Sequence, residues 1–183
     1  MKAAVHTPDR PTLRGRVQVY TGSGKGKTTA ALGQAVRAAG YGLRTYVGQF
    51  MKGRHYGELD ALRRLPLITI EQYGGPDCVR REDVSAQDIA RAKQGLARAL
   101  EAMGSGRYDL LVLDEANVAT WFGLLDPEEL LAFIDRRPDH VELILTGRYA
   151  PAAVVEKADL VTDMREVKHY YRQGVQARDG IER

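Results

Sequence analysis

One cysteine, Cys78, stands in a chain of 183 residues. An internal disulfide and a clustered-thiolate metal site are both excluded, and a reducing, cytoplasmic compartment is the natural expectation. Cys78 itself reads as a small, half-buried apolar residue. The four histidines, His6, His55, His140 and His169, share no ligand spacing, so the pattern gives no histidine metal centre. Apolar runs of ~18 residues, the length of a membrane span, do not occur, and the N-terminus has no apolar stretch of signal-peptide length. The chain therefore reads as neither membrane-spanning nor exported. Excess charge is scarce too: 27 Lys and Arg against 24 Asp and Glu leave +3. That is too little and too dispersed for a nucleic-acid surface, yet it suffices to place a few cations around a small anion.

What is present is the balance of a globular domain, with 44% apolar and 28% charged residues. A chain of this length makes about one domain and buries roughly 70% of its unfolded surface without a disulfide or metal. Residues 1–14 carry two prolines and no periodicity, and read as an N-terminal arm, unordered or draped over a neighbour. Residues 15–183 form the domain proper.

Within it, strand and helix patterns alternate. Arg16–Tyr20 is β-rich and runs into a glycine cluster, after which Leu32, Ala35, Val36 and Ala39 fall at helical spacing. Thr45–Phe50 reads as a strand, Leu59–Leu65 as a short helix and Leu67–Ile70 as a strand. Ser85 with Asp88 three residues later caps a helix carrying Ile89, Leu96, Leu100 and Met103. Leu110–Leu113 is continuously apolar, as a strand buried on both faces must be. Asp126-Pro127 opens the next helix, and Val141–Leu145 is another buried strand. Such alternation predicts an α/β fold, a parallel sheet with helices on both faces. Leu160–Arg183 shows no period and is left unassigned.

The strongest chemical signal is Thr21-Gly22-Ser23-Gly24-Lys25-Gly26-Lys27-Thr28-Thr29, between a predicted strand and a predicted helix. Glycines there let backbone amides turn around phosphate oxygens, Lys27 supplies a cation, and the Thr28 hydroxyl can ligate Mg2+. Thr21 stands where such P-loop strings usually begin with glycine. Asp114-Glu115 ends the Leu110–Leu113 strand, where ligands of a parallel sheet sit. The pair suits Mg2+, directly or through water, or a helix cap. Arg148, after the Val141–Leu145 strand, suits a polyphosphate oxygen or a surface ion pair. Arg37, ten residues beyond Lys27, reads by position as a solvated helix arginine, and Trp121-Phe122 as core.

With these residues placed, the chain resembles the P-loop ATP:corrinoid adenosyltransferases, which act on cob(I)alamin or cob(I)yrinic acid a,c-diamide. The resemblance rests on Tyr20–Ala31, Gln49-Phe50-Met51-Lys52-Gly53, Leu113-Asp114-Glu115, Thr146–Pro151 and Ala158–Met164, with Lys168-His169-Tyr170 and Gly180-Ile181-Glu182 closing it. The Thr-for-Gly loop start is itself the family's variant. It implies transfer of the 5′-deoxyadenosyl group of ATP to a Co(I) corrinoid, with triphosphate leaving. Catalytic residues would be Lys27, Thr28 and Arg148; the ATP site would be residues 22–29 with Arg37 and Arg148; Mg2+ would sit with Thr28, Asp114 and Glu115. A homodimer and a reductase supplying Co(I) are implied as well.

One stretch departs from the family. Many relatives carry Gly-Phe-x-Trp after the third strand, where this chain has Tyr73-Gly74-Gly75-Pro76-Asp77-Cys78. The corrin is accordingly expected to lie near Tyr73 and to be gripped partly by other segments, the Tyr170-Tyr171 tail or the N-terminal arm of a second subunit. The loop alone equally serves a small-molecule kinase or ATPase, or a nucleotide sensor without turnover.

Overall fold

The structure, a computed structural model, describes residues 14–77 and 79–182. Six strands form one parallel sheet: β1 (Val17–Thr21), β2 (Thr45–Phe50), β3 (Ile68–Tyr73), β4 (Leu110–Asp114), β5 (Glu142–Thr146) and β6 (Leu160–Asp163), in the order β3-β2-β4-β5-β1-β6. Six helices connect or cover them: α1 (Lys27–Gly40), α2 (Gly57–Arg63), α3 (Ala86–Gly104), α4 (Ala116–Trp121), α5 (Pro127–Asp135) and α6 (Ala152–Lys157). The α/β fold and the parallel, two-faced sheet are as the sequence predicts.

Alternation along β4 explains why its apolar run is unbroken. Leu111 and Leu113 pack on one face with Met103, Leu130 and Phe133, while Leu110 and Val112 pack on the other with Leu32, Ala35 and Leu62. Two cores thus clamp one strand, and the C-terminal edges of β1, β2, β4 and β5 come to a common rim. The predicted Ser85–Asp88 capping box is present at α3, and Asp126 caps α5 as expected, with Glu129 completing a second box that the sequence reading did not name. Helix α1 has no side-chain cap and begins from Gly26 at φ 117°. Its first-turn amides are left for an anion.

The structure differs from the sequence reading at element ends and at one edge. α2 begins at Gly57, two residues early, and β3 runs on to Tyr73. β6 was not foreseen, because all four of its residues are exposed and its pattern carries no apolar period. Pairing with β1, from Gln18↔Leu160 to Thr21↔Asp163, is what makes it a strand. The 1–14 arm lies outside the described residues apart from Arg14, and Cys78 lies outside them too. No helix among the described residues is long and apolar enough to cross a membrane.

Candidate active site

The loop between β1 and α1 is held from outside by the chain leaving β6. Gly24 N donates to Met164 O at 2.6 Å, and Met164 N donates to Thr21 O at 2.9 Å. Gly22, at φ 97°, tolerates no side chain: a Cβ would collide with the Asp163 carboxylate and the Met164 carbonyl. The loop is therefore braced before any ligand arrives. Lys27 lies back across it, its Nζ donating to Gly22 O (2.8 Å) and Gly24 O (2.6 Å). Burial, and then repulsion from Arg148, hold its ammonium below the ordinary lysine value. A phosphate would replace those carbonyls with full negative charge.

Asp114 is fully buried at the end of β4 and accepts four hydrogen bonds. Its Oδ1 takes Thr28 Oγ1 (2.9 Å) and Thr146 Oγ1 (2.6 Å), and its Oδ2 takes Lys52 Nζ (2.8 Å) and Gln49 Nε2 (3.2 Å). A carboxylate has about four lone-pair sites, and all are filled. Direct metal ligation by Asp114, one of the sequence expectations, does not fit this geometry. What Asp114 does is orient Thr28, whose hydroxyl oxygen also accepts a long contact from Lys52 Nζ at 3.4 Å and has one lone pair left for a cation. Helix capping by the acid pair is not seen either: Glu115 occupies the N-cap of α4 at φ 61° without a side-chain capping bond. Its carboxylate lines the cleft, where burial and then the Asp114 charge push its pKa up against the pull of Lys52, Lys27 and Arg148. Among the described residues no group of three or more His, Cys, Asp or Glu forms a metal cluster. A cation held here would complete its shell with phosphate oxygens and water.

Arg148 stands at the same rim after Gly147, which turns at φ 122° and is held by Asn117 Nδ2 donating to its carbonyl at 3.3 Å. It makes no ion pair among the described residues, so the cleft, not a surface pair, is its setting. Lys25 Nζ donates to Ile181 O at 3.1 Å, and Ser23 Oγ accepts from Glu166 N at 3.3 Å, tying the C-terminal segment to the loop. Thr29 lines the cleft beside them. Arg37 does not come to the site: it is exposed in the last turn of α1, donating to Gln34 Oε1 at 3.3 Å.

Three site features carry no role in the sequence reading. Lys52 sits in the quoted Gln49–Gly53 stretch, yet only the fold shows why: Met51 turns the chain at φ 58° and Lys52 reaches over β4 to Asp114, with Glu58 3.7 Å away. Burial alone would depress its ammonium; the charge and hydrogen bond of Asp114 outweigh that and hold it above the ordinary value. Thr146 bridges the Asp114 carboxylate and the Glu115 amide, which donates to Thr146 Oγ1 at 3.0 Å. Trp121 corrects an expectation, for it is 43% exposed and not core. The six-residue α4 spends its inner face on Ala116, Asn117, Ala119 and Thr120, which turns position 121 outward.

All this surrounds one cleft of about 1170 Å3. The phosphate loop closes one end; Leu32, Gly33 and Val36 of α1 form one apolar wall, and Val118, Trp121, Phe122 and Tyr149 form another. His169 and residues 180–182 border it, whereas Tyr171 does not. Tyr73, expected near the corrin, is turned away: its hydroxyl meets Glu71 and, at 2.8 Å, the Tyr46 hydroxyl, and its ring packs on Gly95 of α3.

Comparison with known proteins agrees with this architecture. Residues 13–183 match the family model described as ATP:corrinoid adenosyltransferase BtuR/CobO/CobP. A corrinoid adenosyltransferase of Pseudomonas aeruginosa is 36% identical over 170 residues, covering 92% of this chain and 84% of that protein. Those of Sinorhizobium sp and Escherichia coli K12 are 32% and 34% identical, again over 92% of this chain and over 80% and 86% of their own lengths. A loop braced for phosphate, a threonine aligned by a buried aspartate and a match along nearly the whole sequence converge: this chain belongs to the ATP:corrinoid adenosyltransferase family.

Proposed function

We propose that this chain transfers the 5′-deoxyadenosyl group of ATP to the Co(I) centre of a corrinoid. In that reaction the cobalt supplies the electron pair, the C5′–O bond breaks, and triphosphate leaves with the bonding electrons. Charge gathers on the leaving oxygens, so the protein's task is to stabilise it and to hold C5′ towards the metal. The observation that carries the reading is the convergence of Lys27, Thr28 and Arg148 on one cleft that also offers two apolar walls. Lys27 exchanges loop carbonyls for phosphate oxygens, and Arg148 offers a planar fork to two of them. The nucleophile is the corrinoid, so neither a protein nucleophile nor a general base is required.

Mg2+ fits the donors present. Thr28 would hold it through its hydroxyl, Glu115 through its carboxylate, and Asp114 would act only by orienting Thr28; the ion would neutralise triphosphate charge. The reading extends to a cytoplasmic homodimer served by a reductase that supplies Co(I). The test is anaerobic incubation with ATP, Mg2+ and cob(I)alamin. Appearance of the Co–C bond spectrum supports the reading; ATP binding without it leaves a nucleotide sensor.

A further inference from the structure

Thr21 stands where a phosphate loop of this kind usually begins with glycine, and its side chain has a partner. It ends β1, which lies between β5 and β6. On the β6 side its carbonyl accepts from Met164 N at 2.9 Å. On the β5 side its Oγ1 accepts from Ala150 N at 3.4 Å, a long hydrogen bond between groups 129 residues apart in sequence. A glycine could make the first bond and not the second.

That second bond closes the turn that carries Arg148. Gly147 at φ 122° and Tyr149 at φ 59° flank Arg148, and a turn through this backbone region persists only where its surroundings hold it. Gly147 N donates to Tyr20 O at 3.2 Å, Asn117 Nδ2 donates to Gly147 O at 3.3 Å, and the Tyr149 ring stacks on Trp121 with centroids 4.8 Å apart. The Arg148 side chain itself is exposed and makes no hydrogen bond or ion pair among the described residues. Its aim is therefore set by the turn.

We propose that Thr21 is a positioning residue: its hydroxyl tethers the Arg148 turn to the start of the phosphate loop, so that Arg148 and Lys27 meet one triphosphate in a fixed arrangement. The triphosphate is taken from the adenosyltransferase reading, on which the proposal rests. Tyr20 and Thr21 are consecutive, and they hold Gly147 and Ala150, the two sides of Arg148. The strand that leads into the loop thus also sets the reach of the guanidinium. After burial, repulsion from Arg148 is what lowers the Lys27 ammonium, so untethered the two cations would separate until a polyanion drew them together. A tether made beforehand lowers the cost of that arrangement.

Binding of inorganic triphosphate with Mg2+ to the full chain, measured by calorimetry, tests the tether without turnover. Thr21→Val keeps the size and branching of the side chain and loses the acceptor. It should raise the triphosphate Kd about fivefold, and Thr21→Ser, which keeps a hydroxyl, should stay within about twofold of wild type. Thr21→Ala, with no branch to misplace, carries the same expectation as Thr21→Val. Arg148→Ala should weaken binding by itself, and adding Thr21→Val to it should cost nothing further, because Arg148 is what Thr21 places. A purely structural role in the loop would weaken binding by the same factor in both backgrounds, and that result overturns the proposal. So do Thr21→Val or Arg148→Ala chains that bind as wild type does, and a Thr21→Ser chain as weak as Thr21→Val. The expected coupling in a wild-type chain that forms no Co–C bond upholds the tether and removes the reaction.

Discussion

Lys52 Nζ lies 2.8 Å from Asp114 Oδ2, bridging the ends of neighbouring strands with side chains 15% and 0% exposed. Removing one partner of such a pair strands the other's charge, at a cost of about 3–5 kcal/mol. Lys52→Met should lower Tm by on the order of ten degrees. Combined with Asp114→Asn, the loss should be well short of the two single losses added together, because the second change removes a charge already unpaired. Thermal unfolding of the four proteins completes the cycle, and strictly additive losses would deny the coupling.

Thr28→Val and Glu115→Gln separate metal binding from folding. Each is expected to raise the Mg2+ concentration needed for half-maximal rate, about tenfold or more, with far-UV circular dichroism unchanged. Glu115 makes no capping bond, so Glu115→Gln should not weaken α4. Identical Mg2+ titrations in wild type and both variants would remove these two side chains from the ion's shell.

Lys27→Ala should reduce kcat about 10²–10³-fold in a folded protein, by analogy with loss of one preorganised charge-stabilising donor. Arg148→Lys keeps the charge and loses the planar fork, and most of the rate should go with it. A lysine variant as fast as wild type would show that charge alone is used at that rim.

Stability on the acid side should depend on Asp159. Its carboxylate accepts from Val17 N at 2.8 Å and Arg16 Nη1 at 2.9 Å, and the Val17 amide, then Arg16, hold its pKa below the ordinary value. The folded-state pKa is the lower one, so this contribution is complete above about pH 4 and fades as pH falls through the folded value. The Tm difference between wild type and Asp159→Asn should thus be constant from about pH 6 to 8 and close below about pH 4. A gap that widens in acid would reverse the sign.

Legibility in the sequence followed local pattern. The Leu110–Leu113 run, the Ser85–Asp88 cap, the Asp126-Pro127 helix start and the Thr21–Thr29 loop each show their physics within a few neighbours, and each is where it was expected. Lys52 escaped because its partner is 62 residues away and reaches it only through the parallel register Gln49↔Asp114. Trp121 escaped because an apolar residue at a helix end says nothing of which way the helix turns it. Arg37 shows the converse: a role taken from resemblance that the rim geometry does not bring to the cleft.

The most direct test of the central claim is the fate of the phosphates. Phosphorus NMR of an anaerobic reaction of the wild-type chain with ATP, Mg2+ and cob(I)alamin should show triphosphate formed in one-to-one proportion with the Co–C bond. Formation of ADP and orthophosphate, with the corrinoid unalkylated, would contradict it and make this loop the site of a γ-phosphoryl transfer.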